Sequence, residues 1–298
     1  MKTTKINRIN YLFLLAALSV VFFACQQKAP RNNDSFSFVF MTDIHVEPEN
    51  FATEGLLQAI DTINKLNPDF VITGGDNVAD ASNQKFGRAD SLFNLYTKTM
   101  KSLKMPLHSG FGNHDTYSFI ADLKPSQYKE MFEKRIGKTY YSFSYKNWKF
   151  IVLDPIMYGK GEHSYYGQID SLQMIWLKHE LDSIGKVSPI AVAMHVPLVS
   201  IGGENDRVNK ENGQEIIRLF ENYNVKLVLQ GHLHMYEDIL YHGIRYITGG
   251  AVCGGWWKGL LPDGRKMEEG FLQVKVDGNN FTTEYIDYRW EVKKSIAK

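Results

Sequence analysis

Apolar and polar positions along this chain follow two periods in turn. Phe36-Ser37-Phe38-Val39-Phe40-Met41 is a short β-prone run, and from Thr53 onward Leu56, Leu57, Ile60 and Ile63 recur at helical spacing as far as Leu66. Asn67-Pro68 stops that helix, because proline disfavours helical backbone in the residue before it. A second strand is predicted over Asp69 to Thr73, a helix over roughly Gly87 to Leu103, and a third strand over Met105 to Ser109. Strand and helix in alternation predict a parallel α/β arrangement with right-handed crossovers.

Further on, Pro125 to Arg135 reads as helix, and Tyr140 to Tyr145 with Trp148 to Leu153 as a hairpin turning at Lys146-Asn147. Asp154 to Gln168, with Tyr158, His163, Tyr165 and Tyr166, reads as a surface loop, with a lip on the substrate side as the alternative. A helix over Ile169 to Ile184 is expected to place Leu172, Ile175, Trp176 and Leu181 on one side. Pro189 to Met194 is a buried-strand run, Val199 to Lys210 a polar loop, Gln214 to Tyr223 a helix and Val225 to Leu229 a strand. Four more β-prone runs, Tyr236 to Tyr241, Ile244 to Thr248, Gly270 to Val276 and Phe281 to Tyr288, predict an antiparallel sheet at the tail. No internal repeat or second boundary interrupts the pattern, so residues 36–298 are expected to form one domain.

The first 35 residues follow a different pattern. Lys2, Lys5 and Arg8 precede an apolar run from Tyr11 to Ala24, too short to span a bilayer as a helix, which reads as a secretory signal. Ala24-Cys25 resembles the lipobox of bacterial lipoproteins, which implies acylation of Cys25 and a membrane-anchored protein of the cell envelope. Residues 26–35 read as a flexible tether. With Cys25 committed to lipid, Cys253 has no partner and no structural disulfide is expected. Net charge is +1, which gives no electrostatic reason for a long polyanionic partner.

Chemistry gathers where the predicted strands end. Asp43/His45, Asp76, Asn113/His114, His195 and His232/His234 each follow an apolar run, and they hold five of the nine histidines. In a parallel sheet such termini converge on one edge. Carboxylate, imidazole and amide oxygen suit a borderline divalent ion such as Mn, Fe or Zn. Asp43, His45, Asp76, Asn113, His195, His232 and His234 exceed the needs of one ion and fit two that share a bridging carboxylate. Two ions about 3.5–4 Å apart can acidify a bridging water and clamp the oxygens of a phosphate. His114 is then placed to protonate the leaving oxygen.

The motifs Asp-x-His, Gly-Asp-Asn, Gly-Asn-His-Asp, a lone His after a strand, and Gly-His-x-His occur here in that order between Asp43 and His234. Together they resemble the calcineurin-like metallophosphoesterase superfamily. The resemblance implies two mixed β-sheets packed as a sandwich and flanked by helices, with the site at the C-terminal ends of strands. It implies that Asp43, His45 and His234 bind one metal, that Asn113, His195 and His232 bind a second, and that Asp76 bridges them. His114, supported by Asp115, is implied as the acid and phosphate-contacting residue, with Asn113 beside it. Purple acid phosphatases carry a tyrosine ligand three residues after the bridging Asp; Ala79 stands here, so the pattern is nearer to cyclic-nucleotide phosphodiesterase-like members. The implied activity is hydrolysis of a small phosphate mono- or diester by attack of a metal-bridging hydroxide, in a monomer. A non-catalytic phosphate- or glycan-binding lipoprotein on the same fold, and a nucleotidase or nuclease, remain open beside it. The stretch from Gly249 to Trp257 allows close backbone approach, and Trp256 is a candidate substrate-stacking residue.

Overall fold

The computed structural model describes residues 34–117, 125–158, 165–201, 209–252 and 269–290. The signal segment with Cys25, nearly all of the tether, part of the Val199 to Lys210 loop, His163, Cys253 and Trp256 lie outside them. In chain order the elements are β1 (Phe36–Met41), α1 (Ala52–Leu66), β2 (Phe70–Thr73), α2 (Phe86–Met100) and β3 (Leu107–Ser109). A 3-10 turn at Pro125–Tyr128 leads into α3 (Glu130–Arg135), followed by β4 (Tyr141–Tyr145), β5 (Trp148–Val152), β6 (Ile156–Tyr158) and β7 (Tyr165–Gly167). Then come α4 (Ser171–Ile184), β8 (Ile190–Ala193), α5 (Gly213–Glu221), β9 (Val225–Gln230), β10 (Glu237–Tyr241), β11 (Ile244–Thr248), β12 (Gly270–Asp277) and β13 (Asn280–Asp287).

Alternation along β1 explains the layering. Phe36, Phe38 and Phe40 face one way and Val39 and Met41 the other, as a period of two requires. The phenylalanines meet Phe70 and Ile72 of β2 and Phe150, Ala191, Leu227 and Leu229 from a second sheet, forming the interior of a sandwich. Phe38 stacks on Phe70 at 5.2 Å between ring centroids and meets Phe150 edge-on at 5.4 Å. Each such ring removed from water stabilises the fold by about 1.5–3 kcal/mol. On the opposite face, Val39, Met41 and Val71 pack under Ile60 and Ile63 of α1 and Phe93 and Tyr96 of α2. Ile151, Val192 and Val228 of the second sheet pack under α4 and α5.

The first sheet has the order β13-β12-β1-β2-β3, with β1, β2 and β3 parallel and β12 antiparallel to β1. The second has the order β10-β11-β9-β8-β5-β4, with β5, β8, β9 and β11 parallel. Two mixed sheets flanked by helices are therefore the architecture, and the parallel strands of both sheets end on the same edge as the Asp and His motifs.

Three expectations change. The four tail runs do not form one antiparallel sheet: the β10–β11 hairpin joins the second sheet and the β12–β13 hairpin joins the first. The cause is that β12 is buried on both faces over Gly270 to Val274, so it sits inside a layered sheet rather than on a solvated one. On α4 the buried stripe is Met174, Leu177 and Leu181, while Leu172 and Ile175 are 73% and 66% exposed. The Asp154 to Gln168 loop contains the β6–β7 hairpin.

Asp154 holds that hairpin to its surroundings. Its carboxylate meets Lys129 Nζ at 2.5 Å and accepts from Ile156 N, its N–H donates to Gln173 Oε1 on α4, and it is 1% exposed. Lys129 also lies over the Phe111 ring, 5.5 Å from its centroid. Replacing Asp154 by Ala leaves a largely buried ammonium without its counter-charge, so Asp154→Ala is expected to lose about 3 kcal/mol in urea denaturation. Leu172→Ala on exposed α4 surface stays within about 0.5 kcal/mol. Equal effects of the two would contradict this packing.

Candidate metal centre

The motif residues do not sit on extended backbone. Asp43, His45, Asp76, His232 and His234 all have left-handed φ, between 47° and 73°. Such conformations cost a non-glycine residue on the order of 1–3 kcal/mol each and persist only where surrounding bonds impose them. Those bonds are present. Past the end of β1 and β2 the two loops continue a ladder: Asp43 N donates to Gly75 O, His45 N to Asp76 O at 2.9 Å, and Val46 N to Asn77 O. The expectation that Asp43 and His45 share a face as alternate residues of a strand is therefore replaced. Both enter the site because two left-handed turns separate them, not because the segment is extended.

The side chains converge in two groups. Oxygen and nitrogen atoms of Asp43, His45, Asp76 and His234 all lie within 4.8 Å of one another, and so do those of Asp76, His195 and His232. Asp76 belongs to both groups. Its Oδ1 accepts from His114 N at 2.8 Å, and its Oδ2 lies 3.1 Å from His195 Nε2 and 3.7 Å from His45 Nε2. His234 Nε2 lies 2.9 Å from Asp43 Oδ1 and 3.2 Å from His45 Nε2. Asn113 joins the second group through Oδ1, 3.0 Å from His195 Nε2. Gly112 makes room: a Cβ there would lie 2.2 Å from both Asp76 N and Asp76 Oδ1.

Donor chemistry fits divalent cations. His195 Nδ1–H donates to Gly74 O at 2.9 Å and His45 Nδ1 faces Ala79 O at 3.4 Å, which turns each Nε2 into the site. Burial lowers His195, but Asp76 and Asp43 outweigh it and hold the imidazole at about 9, so an ion bound there would have to displace its Nε2 proton. Burial pulls His45 down to about 3, and burial with repulsion from His195 does the same to His232, so both imidazoles are neutral. Burial pushes the Asp43 carboxyl up, but His234 and His195 beside it bring it to about 2. Asp76 is likewise raised by burial and carried well below the usual carboxylate range by His195, His114 and His45. Neutral imidazole and ionised carboxylate are the forms that ligate Mn, Fe or Zn.

His114 lies at the margin, its ring 4.9 Å from that of His45 and its side chain 28% exposed. Burial lowers its affinity for a proton, yet Asp76 and Asp80 outweigh burial and hold it up at about 9. Asp115, expected as its support, does something else. Its two oxygens accept from Gly112 N, Asn77 N, Asn77 Nδ2 and Val78 N, so it ties the Gly-Asp-Asn loop to the Gly-Asn-His-Asp turn. The carboxylate that faces His114 is Asp80, with Oδ1 3.8 Å from Nδ1. Sequence reasoning missed Asp80; its place four residues after Asp76 was the available signal. Of the tyrosines in the Asp154 to Gln168 loop, Tyr165 reaches the site, its hydroxyl 3.4 Å from His232 Nε2. Gly249 to Val252 runs beside the first motif, with Val252 N donating to Asp43 O.

A two-sheet sandwich carrying an Asp/His cluster at its strand ends defines a metallophosphoesterase fold. Solved structures of this architecture include a dimetal phosphatase from Danio rerio (TM-score 0.64, 14% identity, covering 85% of this chain and 96% of that one). A purple acid phosphatase from yellow lupin aligns with TM-score 0.62 and 16% identity over 87% of this chain and 52% of that one. The sequence profile of calcineurin-like phosphoesterases matches residues 36–236, and the chain belongs to that family. A 3',5'-cyclic-nucleotide phosphodiesterase of Nostoc is 26% identical over 73% of this chain and 78% of its own length. The 3',5'-cyclic adenosine monophosphate phosphodiesterase CpdA of Escherichia coli is 22% identical over 74% and 68%.

Two outcomes follow from this geometry. Gly112→Ala drives a methyl into Asp76, so it is expected to cost about 1–3 kcal/mol and to reduce bound metal per chain, read by denaturation and elemental analysis. The chelated protein should have its highest thermal midpoint near pH 6.5. Above 6.5 the folded chain keeps protons on His195 and His114, both held at about 9, and that stabilisation is lost as pH rises through 9. Below 6.5 the unfolded chain gains protons that folded His45 and His232 exclude until about 3, so stability falls with pH. Asp115, raised by burial and Asp76 to about 7, offsets part of the acid limb. A midpoint still climbing above pH 8 would contradict these assignments.

Proposed function

We propose that this protein is a dinuclear metal-dependent phosphodiesterase. The observation that carries the reading is the Asp76 carboxylate, common to two ligand groups that each have imidazoles of their own. Asp43, His45 and His234 would hold one ion, Asn113, His195 and His232 the other, with Asp76 between them. Ions bound there supply an acidified water and positive charge for the phosphate oxygens.

The chain's own residues do the rest. The ladder between the Asp43 and Asp76 loops fixes the ligands before substrate arrives, so little reorganisation accompanies the reaction. Asn113 sits beside His195 and can offer its amide N–H to a phosphate oxygen while Oδ1 serves the ion. His114, protonated at neutral pH, delivers its proton to the leaving oxygen. Asp80, ordered by Ser82 N, Ser82 Oγ and Asn83 Nδ2, orients that ring. As to substrate, the two cyclic-nucleotide phosphodiesterases among the relatives make a 3',5'-cyclic nucleotide the first ester to test.

With Mn added, hydrolysis of 3',5'-cyclic AMP and of bis-para-nitrophenyl phosphate is expected, together with about two ions per chain. His114→Ala should lose about 10²–10⁴-fold in kcat while keeping both ions. Full metal occupancy without hydrolysis of any phosphate mono- or diester would favour the non-catalytic binding protein instead.

A further inference from the structure

Two segments hold His114, and both run on to the same pocket. Ala81 N donates to His114 O at 2.9 Å and Asp80 Oδ1 lies 3.8 Å from His114 Nδ1, so the Asp80 loop lies against the Asn113 turn. The loop leads into α2, whose first residue is Phe86. The turn, closed by Thr116 Oγ1 donating to Asn113 O, leads to Tyr117, whose N–H donates to Tyr128 O ahead of α3. Phe86 and Tyr117 meet edge-on, 5.9 Å between ring centroids. Both line a pocket of about 480 Å³ between the start of α2 and α3, a volume within the range of small-molecule sites. Tyr117 stands three residues after His114, and three residues span at most about 11 Å, so this wall of the pocket stays within that reach of the acid.

The lining limits what the pocket can take. Tyr117 and Met131 belong to the core beneath, 8% and 7% exposed, whereas Phe86 is 62% exposed and leaves ring surface uncovered. Among the described residues the charged side chains of the lining are paired, Asp90 with Arg135 and Glu130 with Lys134 at 3.2 Å, and their charges cancel. A second ionic group on the ligand would find no net attraction there. Aromatic and thioether surface framed by such pairs suits a flat, uncharged ring with polar atoms at its edge.

We propose that this pocket holds the organic group attached to the oxygen that His114 protonates, that the group it selects is an uncharged heteroaromatic ring, and that Phe86 stacks on it. For the cyclic nucleotide named above, that ring is the nucleobase. The inference rests on the metal-dependent reading of the site, because a phosphate held between the two ligand groups is what sends its substituent past His114. No bond forms or breaks in the pocket; its role is recognition.

The experiment compares adenosine 5'-monophosphate with ribose 5-phosphate, which lacks the base, binding to the metal-loaded protein by titration calorimetry. Metal content and thermal midpoint are measured alongside. The parent is expected to bind the adenosine compound about tenfold more tightly, within the range for a base stacked on an aromatic side chain. Phe86→Ala should bring the two within twofold by weakening the adenosine compound alone, with ribose 5-phosphate affinity, metal content and midpoint unchanged. Phe86→Tyr keeps the ring and should keep the preference. Equal affinities in the parent overturn the inference, and so does a preference that survives Phe86→Ala or is lost equally in Phe86→Tyr. If the preference behaves as expected but no ester is cleaved, the pocket assignment stands and the catalytic reading falls. If neither phosphate binds the metal-loaded parent, both fall.

Discussion

Two carboxylates buried within one cluster, Asp43 and Asp76, set the terms for this molecule. Both are essentially inaccessible to water, and both belong to loops of the first sheet. A buried carboxylate costs several kcal/mol unless opposite charge and donors surround it. Much of that surrounding comes from the second sheet: His195 against Asp76, and His232 N with His234 Nε2 against Asp43. The aromatic interior joins the sheets along their faces, and this polar cluster joins them at one edge. The edge is therefore where the fold is least able to yield without exposing unpaired charge.

Left-handed backbone at five of the seven proposed ligands belongs to the same constraint. A strand ending in ordinary extended backbone would throw successive side chains to opposite faces. A left-handed residue reverses the chain direction locally, so Asp43 and His45, and again His232 and His234, all reach one point. Gly112 and the hydrogen bonds between the Asp43 and Asp76 loops hold that geometry in place. Strain stored this way cannot relax piecemeal, because the Asp43 loop is bonded to the Asp76 loop and the Asp76 loop to the Asn113 turn.

How far the sequence carried this picture follows from what each residue depends on. Phe36 to Met41, Phe70 to Thr73 and Val225 to Gln230 were legible because apolar period and strand burial are one fact seen twice. The clustering of the proposed ligands was legible because each sits within a few residues of an apolar run. The wet and dry sides of α4 were not: Leu172 and Ile175 are as apolar as Leu177, and only the placement of β5 and β8 decides which of them faces the sheet. The partner of His114 was misread for a similar reason. Asp115 is adjacent in sequence, but the 3-10 turn at Asn113–Asp115 directs it back toward Gly112 and Asn77, whereas Asp80 reaches the ring from a different loop. Tyr165 required knowing that β6 and β7 pair at all.

That exchange of Asp115 for Asp80 alters how acidity at His114 is controlled. His114 is held protonated by two carboxylates, Asp76 on the inner side and Asp80 on the outer. Cations bound between the ligand groups would neutralise much of the Asp76 charge and weaken its hold on the proton. Asp80 lies 3.8 Å from Nδ1 of the ring, partly exposed, and its carboxyl is kept ionised by His114 itself, Ser82 and Asn83 despite partial burial. The two influences separate accordingly. Asp76 couples the acid to occupancy of the metal groups, and Asp80 supplies an attraction that does not depend on occupancy. With ions present, an imidazolium balanced this way would become a stronger acid, the direction that the proposed protonation of a departing alkoxide needs.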